Sequence, residues 1–469
     1  MSGSIGTSQV SAKRIALIVL SLFVAFFLIM MAFFVLTTPD WRIENAPNAW
    51  TESPHDMVLD SQGNPCMAFL GDYRGYYTLI FGKRIADSWN MTPLKTLNWD
   101  FFDVSIALDS KGKVHISTGC DNATSHKGSY VTYATNENGS WVIKDIATEY
   151  IYAGSKIAVD SHDLVHILCS ESERGILNGY VYTAHLMLLT ETPNEWNVSK
   201  VFDPIENAST QIQSFDIAGG DSMHALIRNN FYKPGSPSNS EISQLQYCST
   251  MSGNWTQETI QSDLRILSTG RASMIIDDNN KSHVCYYLWD NATSSYGIVY
   301  ANNIGGSWAI NRVGYGGNNW PTSCSLAIDT KNAIHIAYYA IYYNSNDESL
   351  TNHTERYLTN QDGSWKATII DNVRGWIASQ RICIAIGSND QVQISYLCNL
   401  RSAESGDRWF FRYATPYSML ETFENATVMA SLYTLAAMPF VGIGILVYWR
   451  RKNRSSPSME QEQGDNREF

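Results

Sequence analysis

The sequence predicts an all-β fold, a seven-bladed β-propeller flanked by two transmembrane α-helices. Three observations carry this expectation. A phrase made of an apolar strand, an Asp turn and a His in a second strand recurs seven times. Each copy is followed by a Tyr-rich strand, and in six copies a turn then ends in Trp. An uncharged apolar run lies on either side of the repeats.

The first apolar run covers 15–36 and the second 428–449. A helix of that length spans roughly 33 Å at about 1.5 Å per residue, enough for a hydrocarbon core. The first run is longer than the apolar part of a cleaved leader, and no A-x-A site follows it, so it is read as a retained anchor. Lys13 and Arg14 precede it, and Arg450, Arg451, Lys452 and Arg454 follow the second run. Cationic flanks stay on the cytoplasmic side. The expected division is a cytoplasmic segment 1–14, a membrane helix 15–36, an extracytoplasmic propeller 37–427, a second membrane helix 428–449 and a cytoplasmic tail 450–469. The expected location is the cell membrane, with the membrane itself as a partner.

The repeat is clearest in SIALDSKGKVHIS ending at Ser117, KIAVDSHDLVHIL ending at Leu168, SMIIDDNNKSHVCYY ending at Tyr287 and SLAIDTKNAIHIAYY ending at Tyr339. Weaker copies end at Phe69, Ile227 and Tyr396. Third strands such as YVTYAT, 130–135, follow, and Trp89, Trp141, Trp196, Trp255, Trp308 and Trp365 open the fourth strands. Four short strands in each repeat of about 50 residues are the pattern of propeller blades. The seventh copy stops after its third strand, RWFFRYAT, 408–415. Asp40-Trp41-Arg42-Ile43 matches the missing opening, so a strand near Trp41 is expected to close the last blade.

The turn-Gly-Ser-Trp element, best seen in Gln361-Asp362-Gly363-Ser364-Trp365, resembles a degenerate Asp-box of the sialidase-like (BNR) propeller superfamily. The resemblance covers repeat architecture. The FRIP motif that carries one catalytic arginine of sialidases is absent, so the resemblance implies the fold and no sialidase activity.

Formal net charge is −12 and the chain shows no basic stripe, which argues against nucleic acid as a partner. His115, His166, His224, His283 and His335 obey the repeat, as do the Trp residues and Asp60, Asp109, Asp160, Asp277 and Asp329. Residues that every blade repeats are expected to build the blade: His bonded to its neighbouring turn, Asp capping that turn, Trp in the core. No metal or cofactor motif is present in the sequence. The eight cysteines leave pairing open. Asn-x-Ser/Thr sequons at Asn90, Asn122, Asn138, Asn197, Asn207, Asn254, Asn280, Asn291, Asn352 and Asn425 are candidate glycosylation sites.

Residues that break the repeat are the candidates for binding. Loops entering the inner strands carry Trp99, Tyr150, Tyr152, Arg271, Tyr315, Trp320, Arg374, Trp376 and Arg381. Trp99, Tyr152, Arg271, Trp320, Arg374, Trp376 and Arg381 are singled out as ligand-binding, because aromatics with Arg suit sugar rings and acidic groups. The leading expectation is a surface module that recognises a glycan, a peptide or a neighbouring envelope protein. The alternatives are an extracytoplasmic glycan hydrolase or lyase and an assembly role.

Overall fold

A computed structural model describes residues 7–37, 40–48, 54–96, 101–120, 130–147, 151–175, 181–193, 195–203, 205–206, 208–231, 242–264, 271–318, 323–342, 352–374, 381–402, 406–417 and 419–454. The chain divides into two compact units, 1–42 with 417–469, and 43–416.

The first unit holds two helices, Thr7–Thr37 and Met419–Arg454. They pack on each other, with the Phe34 and Tyr433 ring centroids 5.3 Å apart. The Thr427, Ser431 and Thr434 hydroxyls donate to the carbonyls four residues back at 2.6, 2.7 and 2.7 Å, which satisfies them inside the helix. Among the described residues, no helix is long and apolar enough to cross a membrane. This corrects the expectation of two transmembrane helices and of a cell-membrane location. The second helix carries Glu421 and Glu424 near its start and Pro439 within it.

The second unit is an all-β propeller of antiparallel meanders. The first sheet is formed by His55–Leu59, Pro65–Tyr73, Tyr76–Ile85 and Ser88–Thr96, in that order. The second contains Phe101–Leu108, Val114–Cys120, Tyr130–Thr135 and Val142–Ala147. The third contains Ile151–Val159, Val165–Gly175, Val181–Glu191 and Trp196–Lys200, with Ile205–Glu206 added beside Val181–Glu191. The fourth runs from Ala208–Ala218 through Ser222–Phe231 and Ile242–Ser249 to Thr256–Leu264. The closing sheet is Ile382–Ile386, Val392–Ser402, Gly406–Pro416 and, on its outer edge, Trp41–Asn48. The N-terminal strand therefore does complete the last sheet, as the Trp41 match implied.

The expectation of seven separate blades is corrected. Five sheets stand alone as blades, and the remaining eight strands, from Ser273–Ile276 to Lys366–Arg374, form one continuous sheet. Among the described strands, its two meanders are joined by a parallel contact between Gly317 and Ile341. Gly317 sits at φ +99, and a Cβ there would lie 2.1 Å from the Ile341 carbonyl oxygen. Only glycine permits that approach, and no repeat pattern encodes it.

The core lies between facing sheets. Leu70, Leu79 and Phe81 of the first sheet pack on Val104, Ile106 and Ile116 of the second. Leu397 and Phe411 of the closing sheet pack on Met67, Phe69 and Ile80 of the first, which closes the ring. Each such side chain contributes roughly 1.5–3 kcal/mol when fully buried. Arg84 of the first sheet reaches Glu44 of the closing strand through two bonds, Nε at 2.6 Å and Nη2 at 3.1 Å.

The repeated residues form one device. The Oδ1 of each turn Asp accepts from the backbone N–H groups two and four residues on, as Asp109 does from Lys111 at 2.9 Å and Lys113 at 2.7 Å. The same pair of bonds is made by Asp60, Asp160, Asp277 and Asp329. The other carboxylate oxygen faces the repeat His, at 3.1 Å for Asp160–His166 and 3.4 Å for Asp277–His283. The opposite ring nitrogen meets a third-strand hydroxyl, as in His115–Tyr133 at 2.7 Å and His283–Tyr300 at 2.6 Å. Trp of the next meander then packs on that Tyr: Trp196 on Tyr133 with centroids 5.1 Å apart, and Trp365 on Tyr300 at 5.4 Å. Trp89 on Tyr413, at 5.8 Å, carries the series across the closure. These His, Asp and Trp residues are structural.

Candidate functional site

The first strand of every meander lines one axial cavity of about 170 Å³. Strand alternation turns every second residue of these strands toward the axis. Most meanders place a small polar residue there, such as Ser105, Ser273 or Ser325, whereas others contribute Asp56 and Lys156. Arg271, Ser323 and Arg381 stand just before their first strands and line the same space.

Asp103 is the hub. Arg271 Nη1 donates to its Oδ1 at 3.0 Å and Arg381 Nη1 to the same oxygen at 3.1 Å. Lys156 Nζ stands 3.1 Å from Oδ2, and the Val104 N–H donates to Oδ1 at 2.9 Å. Three cations from three meanders thus converge on one carboxylate of a fourth. Burial alone would raise the Asp103 carboxyl, but Arg271, Lys156 and Arg381 outweigh it and hold it well below the usual carboxylate range. Burial and the adjacent Arg271 push Arg381 down to about 9, against the opposing pull of Asp103.

Among the described residues, the site carries excess positive charge. Lys156, Arg271 and Arg381 face Asp103 and Asp56, three charges against two, in a chain whose net charge is −12. Asp56 is engaged by the Ser105 hydroxyl and the Ile106 N–H, both at 3.1 Å. Arg271 is the most open member, its side chain 28% exposed against 11% for Arg381. Two further groups of the cavity are shifted away from neutrality. His55 donates to or accepts from Ser395 Oγ at 3.1 Å, and burial together with Arg381 lowers it to about 3, so its ring is uncharged. Burial raises the Cys383 thiol to about 12. The arrangement is built to hold an anion against fixed donors. Among the described cavity residues whose titration shifts, none is placed to exchange a proton near pH 7.

Of the residues singled out in the sequence, Arg271 and Arg381 are brought together here. Trp99, Trp320 and Trp376 lie outside the described residues, as does Tyr150. Tyr152 and Arg374 lie in strands, with side chains outside the described set. Tyr315 packs on Tyr342, ring centroids 5.6 Å apart, and is not part of the cavity lining. Sequence reasoning missed Asp103, Lys156 and His55. The signal for Lys156 was a charged residue where Ser105, Ser273 and Ser325 stand in other copies, whereas Asp103 and His55 fall at positions that differ from copy to copy.

Asn90, Asn138, Asn197, Asn254, Asn291 and Asn425 are exposed. Asn280 is engaged in its turn, at φ +58 with its amide donating to the Gly219 carbonyl at 3.2 Å. Asn122 and Asn207 lie outside the described residues, and the Asn352 side chain does too. The described cysteines, Cys66, Cys169, Cys248, Cys285, Cys324, Cys383 and Cys398, are free thiols. Asp160, His162 and Asp221 gather within 4.8 Å of one another. Asp221 is already occupied there, accepting from Ser161 N and Oγ at 2.9 and 3.0 Å as a clasp between neighbouring sheets.

The fold recurs among solved structures. An ulvan lyase of polysaccharide lyase family PL25, bound to -[GlcA(1-4)Rha3S]-, matches with a TM-score of 0.52 and 10% identity, over 82% of this chain and 99% of its own. The polysaccharide lyase Uly1 matches with a TM-score of 0.50 and 9% identity, over 80% of this chain and 92% of its own. Trypanosoma rangeli sialidase in complex with sialic acid matches at 0.41 and 9% identity, over 83% of this chain and 60% of its own. No protein-family profile matches the chain, and no curated protein sequence matches it. The expected repeat architecture of a β-propeller holds. The chain is a propeller whose structural neighbours include polysaccharide lyases.

Proposed function

We propose that the protein binds an acidic glycan at the axial cavity, taking a carboxylate or sulfate group of one sugar unit against Arg271, with Arg381 and Lys156 supplying the field. The observation that carries this reading is the convergence of three cations on Asp103, with Arg271 the most exposed of them. Asp103 fixes the guanidinium groups in place, so little side-chain entropy remains to be lost when an anion arrives. A neighbour of the same fold holds a uronate- and sulfate-bearing repeat, which supports the ligand class for a propeller of this kind. Binding is favoured over turnover because His55 and Cys383 are held far from neutral titration.

The test is calorimetric titration of the full chain with polyglucuronate, a sulfated polysaccharide and neutral dextran. Binding of the acidic polymers is expected, weakening with salt. Arg271→Gln is expected to lower that affinity about 10- to 100-fold, the worth of one charge-assisted bond. Equal binding of dextran, or an unaffected Arg271→Gln, would remove the basis for this site. A rise in ultraviolet absorbance from unsaturated uronate, or new reducing ends, would replace binding by catalysis.

A further inference from the structure

Two thiols from the two halves of the eight-stranded sheet meet beside the cavity. Cys285 lies within Ser282–Asp290 and Cys324 opens Cys324–Ile328. Their sulfurs are 3.3 Å apart, and both side chains are buried. Cys324 also lines the cavity, and its Sγ donates to the Arg271 carbonyl at 3.3 Å. Arg271 and Ser323 form a parallel bridge immediately before these strands. A disulfide sets its sulfurs about 2.05 Å apart, so a small side-chain movement separates the two thiols from a cross-link.

We propose that Cys285 and Cys324 are a redox-sensitive pair, oxidised by a small peroxide that enters the cavity to a disulfide that ties the two halves of the sheet together and weakens anion binding at Arg271. The effect on anion binding rests on the proposed function; the cross-link does not. The Cys324 thiolate attacks one peroxide oxygen, the O–O bond breaks, and hydroxide leaves to become water with the proton that the thiol gave up. The Cys285 thiol then attacks the sulfenic sulfur. The S–S bond forms, the S–O bond breaks, and a second water departs with the Cys285 proton. Two thiols lose two electrons, and one peroxide becomes two waters.

Cys324 is the sulfur the oxidant reaches, because it borders the cavity. The thiolate is the nucleophile, and burial, reinforced by Cys285, holds the Cys324 thiol well above its ordinary value. Oxidation is therefore slow at neutral pH and quickens as pH rises. Drawing the Cys324 sulfur toward Cys285 withdraws its donor from the Arg271 carbonyl, which loosens the backbone under the most exposed cation of the site.

The experiment treats the full chain with hydrogen peroxide in mildly alkaline buffer, alkylates it under denaturing conditions and maps the peptides by mass spectrometry. A Cys285–Cys324 linked peptide is expected, and Cys285→Ala, checked for fold by circular dichroism, lacks it. Polyglucuronate affinity is expected to fall about three- to tenfold on oxidation, to recover with dithiothreitol, and to stay constant in peroxide-treated Cys285→Ala. If both thiols remain open to alkylation after peroxide, the pair is not redox-active. A cross-link with unchanged affinity overturns the coupling to Arg271. Absence of polyglucuronate binding by the untreated chain overturns the proposed function and leaves the cross-link result standing.

Discussion

Replacing Asp103 by Asn probes the cavity most directly. Asn keeps the shape and an oxygen for the Val104 N–H, which stands at 2.9 Å, and it removes the charge. Arg271, Arg381 and Lys156 lie 3.0, 3.1 and 3.1 Å from the carboxylate. At about 3 Å and an effective dielectric near 20, each contact is worth about 5 kcal/mol in Coulomb terms before desolvation. Desolvation of the carboxylate and repulsion among the cations cancel most of that sum. Removing one partner of a buried ionic group costs about 3–5 kcal/mol, because the remaining charges stay buried. For a propeller of about 370 residues, an unfolding entropy near 2.1 cal/mol/K per residue converts this to a melting shift of about 4–6 °C. Differential scanning calorimetry of the full chain is the assay, with Asp56→Asn as the control, since that carboxylate takes neutral donors from Ser105 and Ile106. Added sulfate should restore much of the loss in Asp103→Asn and little in Asp56→Asn. A melting point within about 1 °C of the parent, or equal rescue in both variants, would show that Asp103 is not what holds the cations.

Two further outcomes follow from the structure. Burial lowers the folded pKa of His55 to about 3, with help from Arg381, and of His224 and His353 to about 4. Unfolded His takes its proton near 6.5, so between about pH 6.5 and 4 the unfolded chain holds more protons than the folded one. Stability is then complete above that window and declines as pH falls through it, and Asp103, whose folded pKa is depressed, adds its own loss only below about pH 4. Urea midpoints that stay flat from about pH 7 to 5 would contradict this. In Gly317→Ala the new Cβ collides with the Ile341 carbonyl at 2.1 Å. The joint between Gly317 and Ile341 should open, and amide exchange at Asn318, whose N–H donates to Ile341 O at 3.0 Å, should rise by an order of magnitude or more. Unchanged exchange there would mean that the joint tolerates a side chain.

What the sequence discloses is what one meander does by itself. The turn Asp binds backbone two and four residues on, so its role is visible in thirteen letters such as SIALDSKGKVHIS. The closing strand was legible because one copy lacked its fourth strand and Trp41 offered it. The hub was not legible, since Asp103 meets Arg271 across 168 positions and Arg381 across 278. Arg271 and Arg381 stood out as repeat-breakers, but nothing local announced that they share a partner. Lys156 sits where Ser105, Ser273 and Ser325 sit in other copies, a substitution that only the closed ring makes meaningful. The junction at Gly317 and Ile341 depends on a single missing Cβ, which no periodicity reveals. The apolar runs 15–36 and 428–449 suggested membrane helices by length and lack of charge, and the described helices do not sustain that suggestion.

The composite closing sheet places a demand on time. Trp41–Asn48 must wait for Gly406–Pro416, roughly 360 residues later in the chain. Joining segments so far apart costs about 3 kcal/mol more in chain entropy than turning a ten-residue hairpin. At a ribosomal pace of about 5–20 residues per second, the early strand stays without its partner for about 20–70 s, while the sheets between are completed. During that interval it is an open edge able to pair with other nascent chains. The newborn polypeptide is therefore exposed to misassembly at this waiting strand, and a chaperone that shields residues 41–48 would guard the whole ring.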